Sequence, residues 1–262
     1  MSNRQIQFDD GAAYERMMST WSQMLGARFL DWLAPAPGLD WIDVGCGNGA
    51  FTELLAQRCA PASLHGVDPS EGQIAFARTR PNTAGALFRV GDAMALPFES
   101  ARFDAATMAL VIFFVPDPAK GVAELARVTR PGGRVGAYAW DIPGGGLVFE
   151  PVFAEMRAMG LNPPGPPQGW ASGIEAMRRL WTDTGLVEID TLKIPVSRTF
   201  PDFEAYWAST PIGTGLSPAA ATMPAEAIAE LKRRVAARMG TDSAGRVTCQ
   251  GWANAVKGRV EG

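Results

Sequence analysis

WIDVGCGNGA, residues 41–50, sets three glycines behind a short apolar run. Trp41–Val44 reads as a buried strand, and GAFTELLAQRCA (49–60) resumes at once as a helix. Glycine weakens a strand or helix interior, so a cluster of them at a strand's mouth marks a tight turn or a place where something approaches the backbone. Gly45 permits the turn, Gly47 lets the backbone approach a ligand, and Gly49 lets the helix start close to the strand. The backbone N–H groups at such a helix start are expected to be open to a polar ligand. GCGNGA fits both G-x-G-x-G and G-x-G-x-x-G/A with Ala50 in the third place. Alone, it does not separate a ligand site from a structural turn.

The same alternation continues outward. Before the turn, Tyr14, Met17, Met18, Trp21, Met24, Leu25, Phe29 and Leu33 recur at helical spacing, and Pro35 and Pro37 with Gly38 end that helix. After it come strand 63–68, helix 69–80, strand 86–92, strand 103–114 running into a loop, helix 118–130 closed by PGG, and strand 134–140. A β-α-β rhythm of this kind predicts parallel strands with helices on both faces. Beyond Trp140 the rhythm breaks. DIPGGG and NPPGPPQG bracket a helical piece near 147–159, then a helix (173–185), a strand (186–197), two further helical stretches and a closing strand (246–258) follow. The expected organisation is one domain, 1–262, with helical cap inserts at about 141–172 and 200–240.

Composition narrows the function. Hydrophobic residues make up 47% and charged residues 19% of 262 residues, enough for a sizeable core. A net charge of −3 supplies no general basic face for nucleic acid. No apolar run is long enough to span a membrane, and the first residues carry no apolar signal core. Cys46, Cys59 and Cys249 form an odd set without metal-ligand spacing, so the expectation is a reduced, cytoplasmic compartment and no metal. His65 is the only histidine, which removes most histidine-based catalysis.

Two acids at strand ends refine the glycine loop. Asp68 lies 23 residues after Gly45, at the end of the second strand. A carboxylate there accepts hydrogen bonds from a ribose diol, although a helix-cap acid before Pro69 looks the same. Asp92, at the tip of the third strand, suits the exocyclic amine of adenine. A second carboxylate close to a pyrophosphate is electrostatically unfavourable, so the ligand reads as an adenosine without a phosphate string.

WIDVGCGNG, GVDPS, VGDAMALPF, FDAATMALVIFFVPDP and RPGGRV, in this order and spacing, resemble the class I S-adenosylmethionine-dependent methyltransferases, in the group that includes ubiquinone/menaquinone-type C-methyltransferases. YERMMSTWSQML and TGLVEI extend the resemblance over nearly the whole chain. It implies an α/β, doubly wound, Rossmann-like sheet of seven strands with the last antiparallel, and S-adenosyl-L-methionine as cofactor. It also implies roles by position. Gly45 and Gly47, with Cys46 between them, lie under the methionine part, and Asp43 supports them. Asp68, followed by Pro69, holds the ribose. Asp92 and Ala93 flank the adenine, Met108 and Ala109 wall the sulfonium, and Gln73 and Tyr14 stand at the pocket rim. One departure matters: many relatives carry two histidines where this chain has Phe113 and Phe114.

Methyl transfer from a sulfonium is an in-line displacement that needs alignment and exclusion of water, and a base only where the acceptor must lose a proton. Asp141, Tyr138, Glu150 and Tyr206 are the candidates for that base, with Asp141 the best placed and loop capping its other reading. Phe113, Phe114, Phe149 and Tyr206 are the candidate substrate-pocket residues. The inserts add Phe153, Met156, Met159, Trp170, Phe203 and Trp207, a supply that suits a small, largely apolar acceptor. A nicotinamide-dependent oxidoreductase and a non-catalytic S-adenosylmethionine-binding protein are the competing readings. The acceptor, the atom methylated and the oligomeric state stay open.

Overall fold

Strands buried on both faces decide the architecture, because only a sheet covered on both sides by helices hides them. β1 (Asp40–Val44) is such a strand, with four consecutive buried residues. β2 (Ser63–Asp68) and β4 (Phe103–Ala109) follow the same rule. In the computed structural model, which describes residues 11–214 and 222–262 and the side chains of all of these but 11–17 and 19, these join β3 (Ala86–Val90), β5 (Thr129–Trp140), β6 (Val187–Phe200) and β7 (Val247–Arg259). The sheet has seven strands in the order β3-β2-β1-β4-β5-β7-β6. β1 pairs parallel with β2 and β4, while β7 runs antiparallel between β5 and β6. The expected seven-stranded sheet with an antiparallel last strand is therefore present. The order reverses between β1 and β4, which opens a crevice at the carboxyl ends of the strands.

The helices fall into two groups by contact. α1 (Gly11–Leu33) packs on α2 (Ala50–Cys59) and α3 (Glu71–Ala77) and reaches β6 and β7. α4 (Pro118–Val128) and α6 (Ile174–Asp183) pack together against β4 to β7. Rings tie the first group to the sheet: Tyr138 of β5 lies 4.9 Å from Phe29 of α1 and 5.6 Å from Phe51 of α2. Trp181 of α6, fully buried, donates its indole N–H to Val135 O of β5 at 3.1 Å. The remaining helices, α5 (Glu150–Ala158), α7 (Phe203–Trp207) and α8 (Ala225–Met239), come from the two Pro- and Gly-rich stretches, and α5 packs on α8.

Several boundaries differ from expectation. α4 stops at Val128, because Thr129 turns extended and its hydroxyl bonds Leu125 O at 2.7 Å. The PGG turn then falls inside β5, opposite a register shift between Phe103 and Ala105. β3 ends at Val90, so Asp92 stands beyond the strand, in a short turn that bridges to Ala95.

Candidate functional site

The crevice holds a cavity of about 350 Å³ whose wall runs through the glycine turn, the ends of β2 and β4, and the Pro-rich loop around 165–167. Gly45, Gly47 and Gly49 all have φ between +50° and +80°, the left-handed region that favours glycine. Their reasons differ. A Cβ at Gly45 collides with the Val111 side chain, and one at Gly49 lies 3.0 Å from Ala77 Cβ. Gly49 thus serves the approach of α3, where the sequence suggested the strand. A Cβ at Gly47 meets no protein atom within 4 Å and projects beside the cavity that this residue lines.

Five amides from Gly45 to Ala50 are engaged inside the protein, so the expectation of open N–H groups does not hold for these five. Gly45 and Cys46 donate to Val67 O at 2.7 and 3.0 Å, and Gly49 donates to Cys46 O at 2.9 Å. Gly47 donates to Asp68 Oδ2 at 2.9 Å and Ala50 to Asn48 Oδ1 at 3.2 Å.

Asp68 combines both of its sequence readings. Oδ1 accepts from Ser70 N at 2.9 Å, as a cap before α3 does, while Oδ2 holds the glycine turn. Each oxygen keeps acceptor capacity, and the residue lines the cavity. Burial pushes its carboxyl up, against the pull of those two backbone bonds. Asp43 is deeper. It is wholly buried at the end of β1, with Oδ2 accepting from Thr52 Oγ1 at 2.7 Å and Oδ1 without a partner. Burial first, then the Asp68 charge, pushes its carboxyl up to about 7 despite the Thr52 bond. Asp92 is exposed at the mouth and accepts from Met94 N at 2.8 Å. Cys46 is buried on the wall, and burial raises its thiol well above the usual range, which keeps it protonated and unreactive.

Of the other cofactor candidates, Pro69, Gln73, Ala93 and Ala109 line the cavity. Met108 does not. Strand alternation turns it away from Ala109, and its Cε faces Gly121 of α4. Tyr14 lies on α1, but its side chain is outside the described residues. Among the substrate-pocket candidates Phe114 alone reaches the wall, with the buried Phe113 stacked edge-on to it at 4.7 Å. Phe149 and Tyr206 are buried away from the wall, the latter 5.5 Å from Phe200 and with its hydroxyl raised by burial. Asp141 also stands off the wall. Its oxygens accept from Gly144 N at 3.0 Å and Trp252 Nε1 at 2.9 Å, so it fixes the loop after β5. Glu150 pairs with Arg157. His65 is buried between Phe98 and Phe103, at 5.4 and 5.3 Å, away from the cavity wall.

Sequence reasoning missed several wall residues. Ser22 of α1, Tyr138 of β5, Leu110 and Val111 after β4, and Gly165 and Pro167 all line the cavity. The sequence marks Tyr138 only as a possible base, and Ser22 carries no signal among the apolar positions of its helix. The Pro-rich loop joins the wall through Gln168. Its N–H donates to Phe113 O at 3.0 Å and its Nε2 to Pro116 O at 3.2 Å, while Trp170 Nε1 bonds its Oε1 at 2.8 Å.

Comparison with known proteins bears on this geometry. Residues 42–136 match the family described as "Methyltransferase domain". A ubiquinone/menaquinone biosynthesis C-methyltransferase of Cereibacter sphaeroides is 37% identical over 110 residues, 40% of this chain and 44% of that protein. A fatty-acid O-methyltransferase of Mycolicibacterium smegmatis is 39% identical over 100 residues, 38% of this chain and 36% of that protein. The chain thus spans less than half the length of these two curated relatives. In fold, a phosphoethanolamine N-methyltransferase of Haemonchus contortus, solved with S-adenosyl-L-methionine, superposes with a TM-score of 0.62 at 20% identity, covering 99% of this chain and 59% of that one. Residues 42–136, the segment from β1 into β5, are a methyltransferase domain, and the fold of the whole chain is similar to that of solved methyltransferases.

Proposed function

We propose that this chain transfers a methyl group from S-adenosyl-L-methionine to a small, largely apolar acceptor by in-line displacement. One observation carries the choice of cofactor. Among the described residues, the charged side chains on the cavity wall are Asp43, Asp68 and Asp92, with no lysine, arginine or histidine. The amides of Gly45, Cys46, Gly47, Gly49 and Ala50 are engaged as well. A wall of this kind repels a pyrophosphate and suits a cation, which argues against a nicotinamide dinucleotide.

The residues fit the proposed group. Asp43 Oδ1, buried and without a partner, is an acceptor suited to an ammonium, and the open space beside Gly47 leaves room for a ligand against the backbone. Asp68 would accept the ribose hydroxyls and Asp92 the adenine amine. When bound, S-adenosyl-L-methionine supplies a methyl on a positively charged sulfur, with a neutral thioether as the leaving group. Ala109, Leu110, Phe114 and Tyr138 would surround the reacting end, exclude water and fix the line of approach. The Phe114 ring face also favours a cation nearby. Gly165 and Pro167, held by Gln168, would close the acceptor side with apolar surface. Relatives named for fatty acids and for ubiquinone/menaquinone support a lipophilic acceptor.

Calorimetry with S-adenosylhomocysteine and with NAD tests the cofactor, and methyl transfer to a panel of fatty acids and demethylated quinols tests the acceptor. The expected result is binding of S-adenosylhomocysteine alone and turnover of at least one lipophilic acceptor. NAD binding in its place rejects the cofactor. Robust methylation of tRNA or a protein, with none of the small molecules, rejects the acceptor class.

A further inference from the structure

Three glycines in the five residues 45–49 give the turn after β1 little stiffness of its own, so its shape depends on what grips it. Val67 O and Asp68 grip it from the β2 side, at Gly45, Cys46 and Gly47. Arg80 grips it from the far side of α3. Its Nε donates to Asn48 O at 2.6 Å, and its Cδ would lie 3.4 Å from a Cβ at Gly49, so the arginine stem runs beside the turn. Asn48 is buried and lines the cavity, whereas Arg80 is not on the wall. The guanidinium is itself fixed. Nη1 pairs with Glu53 Oε2 of α2 at 2.8 Å, and Asn82 Nδ2 donates to Glu53 Oε1 at 2.9 Å. The Arg80 and Glu53 side chains are only 9% and 14% exposed, so salt screens the pair little. The Arg80 backbone is pinned as well. Its N donates to Ala77 O at 3.3 Å, its O accepts from Thr83 Oγ1 at 3.0 Å, and Pro81 after it favours the extended conformation it has.

Arg80 thus joins the end of α3, the first turn of α2 and the residue between Gly47 and Gly49. Its two polar contacts do different things. The Glu53 pair holds α2 to the segment after α3, and the Nε bond reaches the turn itself. A Cβ at Gly47 meets no protein atom, so packing does not fix this part of the turn and hydrogen bonds must. The planar guanidinium fork serves Glu53 and Asn48 O together, which a single ammonium does not do with the same geometry. We propose that Arg80 is a positioning residue for the cofactor: through Asn48 O it sets the line of backbone that Gly47 presents to the cavity, without touching the ligand. This rests on the methyl-donor reading above and deepens it.

Two substitutions in the full chain separate positioning from plain stability. Arg80→Lys keeps a cation opposite Glu53 but lacks the Nε donor to Asn48 O. Glu53→Gln keeps an acceptor for Arg80 Nη1 and so leaves the Nε bond in place, but removes the charge of the pair. Calorimetry with S-adenosylhomocysteine, run below the melting transition of each protein, reads affinity, and thermal unfolding without ligand reads stability. Arg80→Lys is expected to weaken S-adenosylhomocysteine roughly tenfold, the scale of one lost hydrogen bond to a charged group. Glu53→Gln is expected to lower the melting temperature by about 5 °C or more, as breaking a shielded ion pair does, yet to change the affinity by less than about twofold. Unchanged affinity in folded Arg80→Lys overturns the proposal. So does a loss of affinity in both variants that follows their loss of stability, and so does an Arg80→Lys chain that does not fold, because Arg80 is then a stability element. If the wild type does not bind S-adenosylhomocysteine, the methyl-donor reading itself falls, a result distinct from wild-type binding that Arg80→Lys leaves intact.

Discussion

Asp43 ties the stability of the fold to pH. Its carboxyl is wholly buried, and burial with the nearby Asp68 pushes it up to about 7 from an ordinary 3.8. The sign follows. Below pH 4 both folded and unfolded chains hold the proton. Between pH 4 and 7 the unfolded chain releases it while the folded chain keeps it, so the stability from this group declines as pH rises and is lost above about 7. An ammonium opposite Oδ1 reverses the preference, because an adjacent cation favours the ionised form. Binding near pH 6 is then expected to release a proton, and S-adenosylhomocysteine affinity to increase from pH 6 to 8. Calorimetry in buffers of different ionisation heat measures that proton. Asp43→Asn is expected to abolish the release, flatten the stability slope between pH 4 and 7, and weaken binding. Proton release unchanged in Asp43→Asn would assign the titration to another group.

At the scale of the element, the strand–turn–helix was legible because three glycines between a buried run and a helical stripe permit little but a turn, yet the purpose of each glycine was not. Spacing shows that Gly45, Gly47 and Gly49 turn the chain; it does not show what each would touch. Gly45 is crowded by Val111 and Gly49 by α3, partners distant in sequence. The engagement of the Gly45, Cys46 and Gly47 amides is hidden from the sequence for the same reason, since Val67 O and Asp68 close on them only when β2 is beside β1. The distinction between two glycines is testable. Alanine at either position carries the left-handed penalty of roughly 1–2 kcal/mol. Gly45→Ala also forces its Cβ onto Val111, an overpacking cost of roughly 1–3 kcal/mol, so its unliganded melting temperature is expected to drop further than that of Gly47→Ala. Gly47→Ala meets no protein atom, and its larger effect is expected on the rise in melting temperature caused by S-adenosylhomocysteine. Thermal unfolding of both variants with and without ligand decides it. A Gly47→Ala protein that keeps the full ligand-induced rise returns that glycine to a structural role.

The whole molecule was legible where each element stands on its own pattern and obscure where contacts cross long distances. Buried runs and helical stripes were enough for the alternating half up to Trp140. The later half reads as Pro- and Gly-rich insertion, and its aromatic residues either as lining for an acceptor or as packing that seals the inserts onto the core. Phe149, Tyr206 and Trp207 are buried in the core, the second of these readings, which periodicity alone does not separate from the first because it reports burial and not which cavity a ring faces. What the later half supplies to the site is Gly165 and Pro167, which carry no periodic signal at all. It also completes the sheet. β7 pairs with β5 from Arg134↔Arg259 to Trp140↔Ala253, and β6 lies beyond it. Residues 1–140 contain nearly every cavity-lining residue, but cutting there strips β5 of its neighbour, removes the Trp181 indole from Val135 O, and exposes a bare edge strand. The fragment 1–140 is therefore expected to be aggregation-prone, to lack a cooperative melt, and to fail to bind S-adenosylhomocysteine. The full chain is expected to unfold in one transition that shifts as a unit with ligand. Calorimetric melting of both, with gel filtration of the fragment, is the measurement. A monomeric 1–140 fragment that melts cooperatively and binds S-adenosylhomocysteine with full-chain affinity would show that the site is built without β6 and β7, whose pairing with β5 would then serve some other end.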